Sequence, residues 1–265
     1  MISLDGLRPD AITSGYAPTL HKLALSGATT FKAQTVQPSV TLPAHTSMVT
    51  GLVPQHHGVT WNDDTTPTSV QVSLTTIFDV AARVGFTSAL FVGKSKLSPL
   101  AHQGSPTYAS IPTRGDLWWA DTVGAKVVTY LSRESKPNLM FIHLPDIDVV
   151  GHQHGWMSDE YLNAVRHADS VVANIWQALK LAFGSKLTLI VTADHGGFGY
   201  GHASGSPFDT AIPWIAWGNG VTAMTLFTSV RTIDTGPTVL WLLGVSSPAD
   251  WDGVPVKSAF PTLAP

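Results

Sequence analysis

Three apolar stretches of this chain each run straight into aspartate and histidine. "ISLDG" ends on Asp5, "LMFIHLPDIDVVGHQHG" brings Asp146, Asp148, His152 and His154, and "LIVTADHGG" brings Asp194 and His195, with His202 following in a glycine-rich loop. Carboxylates gathered in one place repel and raise one another's pKa unless cations offset their charge. Imidazoles among them suit a divalent ion such as zinc, and the ligands are numerous enough for two ions. Each residue alone has a plainer reading. An Asp after a strand commonly caps a helix or turn, and a His in a Gly-rich loop is commonly a surface residue. The metal reading requires the three segments to meet.

A fourth segment, "QPSVTLPAHTSMVTGLVPQHHGVTWN" over 37–62, places a hydroxyl at a helix start. Pro43 and Ala44 suit a first helical turn, with Thr41 just ahead of it. Such a start offers unpaired N–H groups and the positive end of the helix dipole, which favour an anion such as phosphate. Thr41 is then either a helix N-cap or, beside a dinuclear metal site, a nucleophile that gives up its proton.

The elements that must position these residues follow from hydrophobic pattern. Strands are expected at Ile2–Leu4, Ser88–Val92, Leu139–Leu144, Leu187–Thr192 and Ile212–Trp217. Helices are expected at Pro18–Ser26, Ala44–Thr50, Leu74–Val84, Trp118–Ser132, Ser158–Ala182 and Gly236–Leu243. Strands apolar on both faces and separated by helices predict an α/β fold, a mostly parallel central sheet covered on both sides. The carboxyl edge of such a sheet is where ligands bind, and Asp5, the segment with Asp146 and Asp148, and Asp194 all fall there. The stretch 97–117, rich in Ser, Pro, Gly and Thr, reads as a long loop shaping access to the site.

The 265 residues suit one domain with a large core, and 44% hydrophobic against 12% charged residues argues against disorder. A net charge of -3 without any basic block gives a nucleic-acid surface no electrostatic support. The absence of cysteine excludes disulfides and thiolate metal ligands. No apolar run reaches the roughly 18–20 residues that span a bilayer. The abrupt start, "MISLDG", predicts that the first strand is cut short and that upstream residues, a targeting segment among them, precede it.

With these residues in place, the chain resembles the alkaline phosphatase superfamily. Within it, the resemblance is to the type I phosphodiesterase/nucleotide pyrophosphatase branch and its short bacterial relatives. "DGLRPD", "TLPAHTSMVTGLVPQHHGVTWN", "DVVGHQHG", "TADHGG" and "IDTGPTVLWLLGV" carry it, in this order, from residue 2 to about residue 255. It implies a three-layer α/β/α sandwich of alkaline phosphatase type over 1–265, and two divalent ions, usually zinc. One ion would be held by Asp5, Asp194, His195 and the Thr41 oxygen, the other by Asp148, His152 and a third histidine. Asp148 rather than Asp146 matches the family's Asp-x-x-Gly-His spacing, which leaves Asp146 and His154 in supporting positions. Nucleotide pyrophosphatases supply the third histidine far downstream. Here none lies beyond His202, so His202 takes that place, as a nearby histidine does in short bacterial relatives; the rival is that it contacts substrate. Asn62 matches an asparagine that donates to a phosphoryl oxygen.

The implied reaction is hydrolysis of a small-molecule phosphate ester through a phosphothreonine on Thr41. Superfamily monoesterases carry a Lys or Arg in the segment where "ALFVGKSKL" has Lys94 and Lys96. The diesterase branch tends to have aromatic-Pro-Gly-Ser there. Lys94 is therefore the candidate phosphate contact with Lys96 behind it, unless both are simply solvated at a strand end. This leans the expectation to a phosphomonoesterase, with a phosphodiesterase/nucleotide pyrophosphatase as the alternative. A sulfatase nucleophile would need a Cys/Ser-x-Pro-x-Arg setting, and this chain has Thr41-Leu-Pro-Ala-His. A noncatalytic metal-binding relative is the remaining alternative, against which the intact ligand set argues. The resemblance also implies an extracytoplasmic location, periplasmic or secreted.

Overall fold

The computed structural model describes residues 1–64, 74–102, 104–133 and 136–263. Its strands are β1 (Ile2–Leu4), β2 (Ala28–Gln34), β3 (Ser88–Phe91), β4 (Tyr108–Ser110), β5 (Leu139–Leu144), β6 (Thr188–Thr192), β7 (Ala211–Gly218) and β8 (Met224–Thr225). Its α-helices are α1 (Pro18–Ser26), α2 (Thr41–Thr50), α3 (Pro54–His57), α4 (Ile77–Arg83), α5 (Ala120–Leu131), α6 (Asp146–His154), α7 (Asp159–Phe183), α8 (Pro207–Thr210) and α9 (Thr235–Leu242).

The strands form one sheet in the order β4-β3-β5-β1-β6-β7-β2-β8. The first five are mutually parallel, β7 runs antiparallel to both β6 and β2, and β2 pairs parallel with β8. Helices α1, α5 and α7 pack together on one face, and α2, α4 and α9 on the other. This is the expected α/β sandwich with a mostly parallel sheet. Every residue of β5 is buried, as a strand covered on both faces requires. In α7 the Ser158 side chain accepts from Tyr161 N–H at the start, and Val165, Val172, Ile175 and Leu179 lie buried along one face. Among the described residues no helix is long and apolar enough to cross a membrane.

Register sets up the site. Ser3 and Leu4 of β1 lie opposite His143 and Leu144 of β5, and Ser3 also lies opposite Thr192 of β6. The three strands therefore finish level, and the residues that follow them share one rim.

Three strands and three helices depart from the pattern reading, the helices being α6 and the four-residue α3 and α8. β2 has the sequence ATTFKAQ and mixes buried and exposed positions across a register shift between Thr30 and Ala33, so it shows no clean alternation. β4 lies inside the stretch 97–117 and forms the parallel edge beside β3, so that stretch is not loop throughout; its position 103 falls outside the described residues. β8 is only two residues long. α6 is the functional surprise. "DIDVVGHQH" is helical, which stacks Asp148 and His152 four residues apart on one face.

Candidate metal centre

Asp5 leaves the central strand at a turn that only a glycine suits. Gly6 has φ of +73°, and a Cβ there would lie 3.0 Å from Asp148 Cα, so the missing side chain is what lets α6 press against the end of β1. Gly6 N–H (3.1 Å) and His195 N–H (3.0 Å) both donate to Asp194 Oδ1, orienting that carboxylate. Asp5, Asp194 and His195 are fully buried and Asp148 nearly so.

The histidines decide what the cluster can hold. His195 Nδ1 donates to Gly196 O (2.8 Å), His152 Nδ1 to Tyr200 O (2.9 Å) and His202 Nδ1 to Ser39 O (2.7 Å). A carbonyl only accepts, so in each neutral ring the proton sits on Nδ1 and Nε2 presents a lone pair. All three lone pairs face inward. Nε2 of His202 lies 3.1 Å from Nε2 of His152 and 3.5 Å from Asp148 Oδ1; His152 Nε2 is 3.4 Å from the same oxygen. Nε2 of His195 lies 3.4 Å from Asp5 Oδ1 and 3.3 Å from Asp194 Oδ2. Asp5 Oδ1, Asp148 Oδ1, Asp194 Oδ2 and His195 Nε2 are buried without hydrogen-bond partners. Acceptors converging with no donor between them fit cations. Two groups have metal-binding spacing, Asp5, Asp148 and His195 in one and Asp148, His152 and His202 in the other.

Electrostatics agree. Lys94 Nζ bridges Asp5 Oδ2 (2.7 Å) and Asp148 Oδ2 (2.5 Å) from a nearly buried position, one ammonium against three carboxylates. Burial alone would raise Asp5, but Lys94 and His143 hold it well below the usual carboxylate range. Asp194 is pushed up to about 8 by burial and then by Asp5. Burial opposes the charge on His195, yet Asp194, Asp5 and Asp148 outweigh it and raise its pKa; the three carboxylates attract positive charge beyond that of Lys94. His202 is lowered to about 4 by burial and then by His195.

This charge balance gives a measurable prediction for metal-stripped protein. Asp194 titrates near 8 folded against 3.8 unfolded, so the folded state binds the proton more tightly and loses stability as pH climbs through that window. His195, raised above 6.5, acts in the same direction: the stability it adds below 6.5 is lost as pH rises through its folded pKa. In chelator, the melting temperature should fall between about pH 7 and about pH 8, above the range in which burial-lowered histidines such as His202 add stability as pH rises, and Asp194→Asn should remove most of the fall. A flat wild-type profile would contradict this charge balance.

Thr41 begins α2, and Val40, which has no capping side chain, is the N-cap, so the threonine hydroxyl is not used as a cap. The helix start is less open to an anion than the pattern predicts. Val40 N–H donates to Pro38 O, Leu42 N–H donates to Asn62 Oδ1 (2.9 Å), and Pro43 has no N–H. This leaves the Thr41 N–H and the amide group of Asn62 as donors. Lys96 Nζ donates to Asn62 O (3.0 Å), so neither Lys94 nor Lys96 is a merely solvated lysine. Asp146 turns from the cluster and accepts from Ala120 N–H (2.7 Å) at the start of α5, and His154 is exposed.

Two buried histidines went unread. His143 donates Nε2–H to Asp5 Oδ2, and His45 lies with Nδ1 2.7 Å from Thr41 O and 3.4 Å from Asp194 Oδ2. The available signal was an imidazole inside the otherwise apolar run "LMFIHL" and another four residues after Thr41.

The sequence profile of the type I phosphodiesterase / nucleotide pyrophosphatase family matches residues 1–200, which contain all these residues except His202. The chain belongs to that family. It is thereby a member of the alkaline phosphatase superfamily, in the nucleotide pyrophosphatase-like branch. Family relatives include ectonucleotide pyrophosphatase/phosphodiesterase family member 1 of Rattus norvegicus, 28% identical over 228 residues (74% of this chain, 23% of that protein). GPI ethanolamine phosphate transferase 1 of Emericella nidulans is 29% identical over 225 residues (77% of this chain, 24% of that protein). The chain thus spans about a quarter of the length of these curated relatives. Murine ectonucleotide pyrophosphatase/phosphodiesterase 5, solved as an inactive threonine-to-alanine variant with AMP, shares the fold. Its TM-score is 0.79 at 16% identity, covering 93% of this chain and 95% of that one.

Proposed function

We propose that this family member is a two-metal phosphoric ester hydrolase of phosphodiesterase/nucleotide pyrophosphatase type with Thr41 as nucleophile. The observation that carries the reading is the inward convergence of the Nε2 lone pairs of His152, His195 and His202 on unpartnered oxygens of Asp5, Asp148 and Asp194. Asp5, Asp194 and His195 would hold one ion with the Thr41 oxygen, and Asp148, His152 and His202 the other. Nitrogen and carboxylate donors together suit zinc. Bound there, the ions supply the positive charge that lowers the pKa of an entering hydroxyl and stabilises a leaving oxygen.

The chain's own residues do the rest. Thr41 Oγ1 loses its proton to solvent and bonds to phosphorus as the bond to the leaving oxygen breaks. Water then bonds to phosphorus as the Thr41 oxygen departs, restoring the hydroxyl. Asn62, fixed through its Oδ1 on Leu42 N–H, keeps its amide N–H groups to donate to a nonbridging oxygen. The inactive threonine-to-alanine variant of the murine relative supports the role given to Thr41.

The ectonucleotide pyrophosphatase/phosphodiesterase relatives point by their names to diesters and pyrophosphates. One observation favours monoesters: the Lys94 ammonium stands between Asp5 and Asp148, where it can turn to the extra negative charge of a monoester. Rates on aryl phosphate monoesters and diesters with zinc-loaded protein separate the two. If Lys94 serves the monoester charge, Lys94→Ala lowers kcat/KM for monoesters by about tenfold more than for diesters. Equal losses would remove that role, and hydrolysis of neither ester by protein holding two ions would establish the noncatalytic reading. An extracytoplasmic location accords with the ecto-enzymes among the relatives.

A further inference from the structure

His143 is fully buried on β5, where every other residue is Leu, Met, Phe or Ile. An imidazole in such a place is costly unless both ring nitrogens are satisfied. Gly93 N–H donates to His143 Nδ1 (3.2 Å). A backbone N–H cannot accept, so the ring proton is on Nε2, which donates to Asp5 Oδ2 (2.8 Å). This is the reverse of His152, His195 and His202, whose protons are on Nδ1. His143 is thus a donor to a ligand and not itself a ligand.

The consequence falls on Asp5. Its Oδ2 takes both His143 and Lys94, and its Oδ1 is left without a partner, aimed at His195 Nε2. His45 packs edge-on against the His143 ring, with centroids 4.9 Å apart. Gly93 precedes Lys94 in sequence and sits so tightly that a Cβ there would lie 2.6 Å from both Pro145 and Trp118 O. His143 therefore ties the Asp5 carboxylate to a backbone point that the fold holds still.

We propose that His143 is a positioning residue that makes Asp5 a one-oxygen metal ligand by holding Oδ2 and presenting Oδ1; this rests on the metal reading above. Outer hydrogen bonds of this kind typically change metal affinity by about 10–100-fold. Two substitutions divide the ring's contacts. His143→Asn keeps an acceptor near the Nδ1 position for Gly93 N–H but falls short of Asp5, whereas His143→Gln reaches Asp5 with an amide donor.

The test is titration of the metal-stripped full chain with Zn²⁺ against a chromophoric chelator. His143→Asn should weaken the tighter-bound ion by about 10–100-fold, and His143→Gln should stay within a few-fold of wild type. In an Asp5→Asn background, His143→Asn should add no further loss. Equal weakening by the Asn and Gln variants, or additive losses in the double variant, would overturn the role. Wild-type protein gives a check that does not depend on any variant folding: ¹⁵N shifts should report the Nε2–H tautomer for His143, and an Nδ1–H tautomer would overturn the proposal. The two readings fail separately. A wild-type chain that takes up no Zn²⁺ overturns the metal centre and this role together, whereas normal uptake by both wild type and His143→Asn overturns the role alone.

Discussion

Thr41→Ala is expected to lower kcat/KM by at least about a thousandfold while the protein keeps its fold and both metal ions. The fold should survive because the hydroxyl caps nothing: Val40 is the N-cap of α2, and Asn62 Oδ1 receives the Leu42 N–H. Alanine is also well tolerated in a helix. Metal should remain because Asp5, Asp148, Asp194 and the inward-facing histidines are untouched, and on the proposed reading the Thr41 oxygen would be one ligand among several. Activity should nonetheless collapse, since without Oγ1 no bond to phosphorus forms from the enzyme. Thr41→Ser restores an oxygen at the same carbon and should recover most of the rate. Metal content by elemental analysis, melting temperature and acid-quenched mass spectrometry make the result specific. A phosphoryl group on Thr41 should be trapped in wild type and absent from the alanine variant. Near wild-type kcat/KM in Thr41→Ala would remove this residue as nucleophile and shift the attack to water.

Legibility in the sequence followed the physics of each element. β5 and α1 were read to the residue because an all-buried strand and a Pro-started amphipathic helix leave strong patterns. The rim was legible because apolar runs end on Asp5 and Asp194, and a parallel sheet brings such ends together. α6 was not read as a helix, because its polar and glycine-containing sequence has no apolar stripe. Its helical form is held by packing against α7 and against the end of β1 at Gly6. Lys94 was read as a strand-end cation, but its two carboxylate partners, Asp5 just after β1 and Asp148 on α6, lie 54 residues or more away in sequence, and only the sheet order brings them together. The tautomers of the four site histidines lay out of reach for the same reason. For His143, His152 and His202 the deciding group is Gly93 N–H or the carbonyl of Tyr200 or Ser39, each distant in sequence, and for His195 it is the carbonyl of the next residue, Gly196, aimed by the loop's conformation.

His202→Ala should bring metal content from two ions per chain towards one. The pocket it leaves has only Asp148 Oδ1 and His152 Nε2, and the His152 side chain is 45% exposed, so water competes directly for what remains. The other ion keeps Asp5, Asp194 and His195, each fully buried and none hydrogen-bonded to His202. The loss will not be wholly confined to one site, because the His202 ring stacks on His195 with centroids 3.8 Å apart and its removal frees that ring on one side. The remaining ion should accordingly bind more weakly, yet stay bound at micromolar metal. His154→Ala is the matched control: an exposed histidine on the same helix as Asp148, outside both metal-binding groups, whose loss should leave two ions in place. Elemental analysis after dialysis at fixed free zinc reads the difference. Two ions retained by His202→Ala, with turnover reduced, would move His202 from the metal to the substrate and leave the second ion to Asp148 and His152 alone.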